Sequence, residues 1–267
     1  MHPIAFRIGS FAVYWYGILL ALGFLVGWWT ASRRSVETRV NPQWVADIGV
    51  WLLFGGIAGA RLFYVVEYWN QDFANRPLWH VINIREGGLV FYGGLFGGLI
   101  AGLIFVWRKK IPLWRFADVL APSVPLGHAF GRLGCFLNGC CYGKPTTLPW
   151  GVRFPAGHPT GGVPVHPTEL YELVGNLVLY ALLARLYRRK RFDGQVLAAY
   201  LVGYGTLRFC VEFFRGDYKV YYLGGWATIG HIVSFFVVLG GLILWMVLRA
   251  RSTPSASASS EAKSHER

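Results

Sequence analysis

Three arginines lie inside apolar stretches: Arg61 in GARLFYVV, Arg132 in GRLGCFLN and Arg208 in GTLRFCVE. A guanidinium in hydrocarbon is costly and marks a functional site by default. Its planar fork matches two oxygens of a phosphate at once. Three such groups suit a fixed anion, most simply the phosphate of a phospholipid. Neighbouring polar residues repeat at helical spacing. His128, Arg132 and Cys135 stand at i, i+4 and i+7 and share one face, with Asn138 following. Tyr204, Arg208 and Glu212 stand at i, i+4 and i+8, with Arg215 near the same face. The plainer alternative for the second set is an internal Arg208–Glu212 pair that neutralises two buried charges.

Four further segments carry candidate groups. In HPTELYE, His166 reads as a helix N-cap with Pro167 at the first helical position. Glu169 and Glu172 then fall in the first turns, where the helix dipole favours anions, so capping explains them as well as chemistry does. Gly139 and Gly143 flank Cys140 and Cys141 in a loop whose backbone N–H groups are placed to approach a ligand. In EGGLVFYGGLFGGLIAG the glycines serve close helix packing, a smooth face for a lipid chain, or both, with Tyr92 at one end. Tyr16 lies in an aromatic cluster that also reads as an interfacial belt. Cys135, Cys140, Cys141 and Cys210 read as packing residues. Adjacent cysteines rarely bridge each other, and zinc would need a fourth donor that only the fold could bring close, such as His166. No metal or organic cofactor is expected.

These groups need helices to position them. A hydrophobic fraction of 54%, 17% aromatics and a mean hydropathy of +0.41 exclude an ordinary soluble domain. Apolar runs predict seven membrane helices near 12–31, 45–66, 88–107, 117–137, 169–187, 194–214 and 227–248. Pro122, Pro125, Gly127, Gly131 and Gly134 predict a broken fourth span, tolerated where backbone lines a cavity. Sixteen Lys and Arg residues fall in alternate loops and the tail, against seven on the other side. The positive-inside rule then sets the amino terminus outside and the carboxyl terminus in the cytoplasm. The net charge of +13 is mostly topology and attraction to anionic headgroups, so no nucleic-acid partner is implied. No cleavable signal peptide is expected. Residues 1–251 form one polytopic all-α domain, with outer loops at 67–87 and 138–168. Residues 252–267 form a polar, disordered cytoplasmic tail. On this topology Tyr16, Arg61, Tyr92, Arg132, Asn138, His166, Tyr204, Arg208 and Glu212 share one layer toward the outer leaflet.

Five segments in order, VYWYGILLALGF, GGLVFYGGLFGG, GRLGCFLNGCCYG, HPTELYE and GYGTLRFCVEFFR, give the chain a resemblance to the prolipoprotein diacylglyceryl transferases, nearly end to end. The resemblance implies an enzyme of the bacterial inner membrane that moves the diacylglyceryl group of phosphatidylglycerol to the lipobox cysteine of a prolipoprotein signal peptide. A thioether forms and glycerol-1-phosphate leaves. The positions that match the family's functional residues are Tyr16, Arg132, Asn138, Gly143, Tyr204, Arg208 and Glu212. Arg61, Arg215 and His166 join them as candidate binding groups. Tyr92 stands where the family often has histidine, and Cys135 and Cys140 where it often has Asn and Glu. The rival readings are an anion transporter or channel, and a lipid-binding scaffold without catalysis. No internal inverted repeat supports transport.

Overall fold

The computed structural model describes residues 3–9, 11–38, 40–74, 76–84, 87–155, 157–218, 222–225 and 227–252. The chain opens on an antiparallel hairpin, β1 (Ile4–Ile8) with β2 (Phe11–Tyr14). Among the described residues eight α-helices follow: α1 (Trp15–Glu37), α2 (Pro42–Glu67), α3 (Phe91–Arg108), α4 (Leu113–Leu120), α5 (Ser123–Asn138), α6 (Thr168–Tyr187), α7 (Gln195–Glu212) and α8 (Ile229–Ser252). Helix α1 thus starts at Trp15, and the first residues of the expected span, 12–14, pair with β1 instead. The polar tail lies outside the described residues from 253 onward.

Five helices, α1, α2, α3, α6 and α8, are long and apolar enough to cross a membrane. The other two expected spans differ for physical reasons. The fourth divides at residues 121–122 into α4 and α5, since Pro122 and Pro125 interrupt its hydrogen-bond ladder. Gln195, Arg208 and Glu212 lower the mean hydropathy of α7, which keeps its helix but misses that threshold. Side-chain placement follows the membrane pattern. Phe54, Leu62, Phe236 and Met246 are exposed, whereas Glu169, Glu172, Asn176 and Glu212 are among the most deeply buried side chains. Lipid favours apolar surface outside, and polar groups gather inside where they satisfy one another.

By its internal packing the chain divides into two compact units. The first unit spans Ser32–Phe116 and centres on the α2–α3 pair. Its glycines make contact with glycines: a Cβ at Gly59 would come within 2.7 Å of the Gly97 Cα, and one at Gly93 within 2.8 Å of the Phe63 ring. Close packing is therefore one full use of the stripe. Arg61, buried in α2, donates Nε to the Val81 carbonyl (2.8 Å), Nη1 to Gly87 and Gly88 (2.9 and 3.1 Å) and Nη2 to His80 (2.6 Å). Gly87 and Gly88 adopt left-handed φ of 85° and 77°, which turns their carbonyls toward the guanidinium. Tyr92 begins α3 with its side chain 56% exposed.

The second unit combines residues up to Ala31 with those from Ala117 onward, and holds α5 to α8. At one end, buried Asp118 of α4 caps α7 from outside the helix. It accepts the N–H groups of Gly194, Val196 and Leu197 at 2.8–3.0 Å and pairs with Lys190 at 2.9 Å. Gly194 has no side chain with which to cap, so a carboxylate borrowed from α4 satisfies those N–H groups.

Candidate functional site

At the opposite end of the second unit, α5 and α7 finish while α6 and α8 begin. Glu172, on the second turn of α6 and 1% exposed, is the centre of the arrangement. Its Oε2 lies 2.6 Å from Arg132 Nε, and its Oε1 accepts from Arg208 Nη1. Arg208 also places Nη2 2.7 Å from Glu212 Oε2, and donates it to the Tyr218 hydroxyl at 3.1 Å. Glu212 takes the Thr228 hydroxyl at 2.5 Å, and a Cβ at Gly230 would overlap its carboxylate. Two guanidiniums and two carboxylates from α5, α6 and α7 therefore form one buried, charge-balanced chain. Each charge has a partner, as a low-dielectric interior requires. Arg132 meets Glu172 through Nε, which leaves its Nη groups for other partners. The rings of His128 and Tyr204 stand alongside, with centroids 5.2 Å apart.

A loop knot closes this end. Gly143 N donates to the His166 carbonyl (2.9 Å), His166 N to Lys144 (3.0 Å) and Lys144 N to Phe214 (2.7 Å). A Cβ at Gly143 would approach the His166 Cβ to 2.6 Å and the Phe214 carbonyl to 2.7 Å, so the crossing requires glycine. That N–H is spent within the protein, on the His166 carbonyl. The cap of α6 falls on Pro167, one residue later than expected, and no side chain caps it. His166 instead bonds the Tyr171 hydroxyl at 3.1 Å and packs against Phe214. Burial holds its imidazole below the usual value. Arg215 grips Asp217 with Nε and Nη2 at 2.8 and 2.6 Å. Tyr218 is pushed up to about 12, by burial first and then by its hydrogen bond with Glu212.

The fold thus brings Arg132, Tyr204, Arg208 and Glu212 together. Tyr16 lies over α5, since a Cβ at Gly134 would meet its ring at 3.0 Å. Asn138 ends α5 beside the loop, with His166, Gly143 and Arg215 in the knot. Arg61 and Tyr92 belong to the other unit, where Arg61 is already engaged by four carbonyls. Sequence reasoning gave Glu172 only a dipole role. Two intramembrane arginines with one acidic neighbour on their own helices were the signal for a second carboxylate. Thr228 and Tyr218 carried no such signal.

An integral membrane protein with a buried arginine–carboxylate site at the helix ends is the class these features define. A family model described as "Prolipoprotein diacylglyceryl transferase" matches residues 3–247. Curated relatives named phosphatidylglycerol–prolipoprotein diacylglyceryl transferase occur in Finegoldia magna, 36% identical over 91% of this chain and 94% of the relative, and in Nitratidesulfovibrio vulgaris, 38% identical over 96% of each. A third, from Rhodospirillum rubrum, is 38% identical over 95% of this chain and 94% of the relative. The chain belongs to the prolipoprotein diacylglyceryl transferase family.

Proposed function

We propose that this protein transfers the diacylglyceryl group of phosphatidylglycerol to the thiol of a prolipoprotein. The relatives' names carry both substrates, and the buried pair of guanidiniums, Arg132 and Arg208, is the observation that supports the reading in this chain. The acceptor is the lipobox cysteine of a signal peptide. The enzyme sits as a multi-pass protein in the bacterial inner membrane, its site toward the outer leaflet.

The reaction is displacement at the glycerol carbon that bears the phosphate. The acceptor sulfur forms a bond to that carbon, the carbon–oxygen bond breaks, and its electron pair leaves with glycerol-1-phosphate. The nucleophile is the thiolate, since a thiol near pKa 8.5 attacks poorly. The thiol proton passes to the departing phosphate or to His166. Arg132 and Arg208 stabilise the charge on the phosphate, each worth about 3 kcal/mol as a preorganised donor in a dry pocket. Glu172 and Glu212 hold those forks in position before the lipid arrives. Tyr16, Asn138, Gly143, Tyr204 and Arg215 shape the lipid site, and in its own unit Arg61 holds the carbonyls of His80, Val81, Gly87 and Gly88.

The test uses purified protein, headgroup-labelled phosphatidylglycerol and a lipobox peptide with one cysteine. Release of glycerol phosphate with a diacylglyceryl mass gain on that cysteine is expected. Arg132→Ala should lose about a hundredfold or more in rate. No turnover with lipid bound, alongside an active known enzyme, would leave a lipid-binding scaffold; full activity of Arg132→Ala would remove that residue's assignment.

A further inference from the structure

Beside the arginine network, the Sγ atoms of Cys135, Cys140 and Cys141 all lie within 4.8 Å of one another. All three thiols are free and partly exposed, and Cys210 lies apart on α7. Their assembly depends on an unusual backbone. Gly139 ends α5 in a left-handed conformation, φ 76°, and Cys141 adopts φ 73°, which few non-glycine residues do. A strained residue persists only where its surroundings determine it, and such strain gathers at functional sites. The Cys141 carbonyl is fixed by the Thr168 hydroxyl at 2.6 Å. The next residue, Glu169, is 1% exposed, and neither of its carboxylate oxygens has a hydrogen-bond partner.

We propose that Cys135, Cys140 and Cys141 form a thiolate site for a soft d10 cation, zinc(II) first among them. Sulfurs bound to one zinc at about 2.3 Å stand roughly 3.8 Å apart, a closure of at most about 1 Å for any pair. Soft thiolates select such ions over harder ones. Metal binding would release the thiol protons, so affinity should rise with pH. With three protein sulfurs, the fourth position of a tetrahedral site falls to water or another small ligand. The site stands independently of the transferase reading, since metal binding is read without turnover.

The experiment titrates reduced, full-length protein in detergent with Cd2+ alone, following the ultraviolet thiolate-to-cadmium band, and then displaces it with Zn2+. One ion per chain, competed by zinc, is expected in wild type and in Cys210→Ser. Cys140→Ser and Cys141→Ser should abolish the band, and Zn2+ should raise the melting midpoint of wild type and Cys210→Ser but not of those two variants. Three results would overturn the site: no band in wild type whose four thiols titrate freely, a band that survives both substitutions, or a disulfide within the trio in protein isolated with zinc present.

Discussion

Glu172→Gln isolates the electrostatic centre of this fold, because the side chain keeps its size while its charge is removed. Glu172 is 1% exposed and faces Arg132 at 2.6 Å and Arg208 through its other oxygen. Removing one partner of a buried ion pair costs about 3–5 kcal/mol, because the remaining charge stays desolvated. Glu212 still holds Arg208 at 2.7 Å, and the Gln carbonyl retains one hydrogen bond, so the low end applies. About 3 kcal/mol corresponds to a fall of roughly 6–12 °C in melting midpoint for a chain of this size. Intrinsic tryptophan fluorescence in detergent reads the transition, with 12 tryptophans reporting. Arg132→Gln added to Glu172→Gln should cost less than the two single changes summed, by about 1–3 kcal/mol of coupling. A variant melting within about 2 °C of wild type, or costs that add within about 0.5 kcal/mol, would refute the shared-carboxylate account.

Asp118→Ala removes the borrowed cap of α7 and strands Lys190, so a loss of about 2–4 kcal/mol is expected in the same melt. Gly97→Ala should force α2 and α3 apart and cost about 1–3 kcal/mol. Gly240→Ala, whose Cβ meets nothing within 4 Å, should be neutral or stabilise by up to about 1 kcal/mol; equal effects would disprove the packing argument. His166, depressed by burial, binds its proton less readily folded than unfolded. Its contribution is therefore intact above the unfolded pKa of about 6.5 and lost as pH falls below it. Wild type should lose more melting midpoint between neutral and mildly acidic pH than His166→Gln, and parallel curves would contradict this.

Much of the site was legible because charge in an apolar run is conspicuous. Arg132 and Arg208 announced themselves, and their i+4 neighbours followed from helical spacing. Glu172 was legible as a residue but not as a hub, since helix-dipole capping explained it equally well. The glycines of α3 pointed to close packing, yet their partners Gly55 and Gly59 on α2 emerged only when the helices were paired. The cysteine trio reads as packing in a linear chain. Only the left-handed residues Gly139 and Cys141 turn the chain so that Cys140 and Cys141 come back toward Cys135.

The sequence by itself determined that this is a helical membrane protein, and its ordered motifs determined the family. Hydropathy and motif order are local properties, fixed by composition over some twenty residues. Tertiary structure alone decided which carboxylate each arginine meets, why Gly143 must be glycine, and that Asp118 caps a helix 76 residues away. Those are pairings between distant segments. Their energies come from desolvation and close approach, which depend on where the chain folds and leave no periodic trace along it.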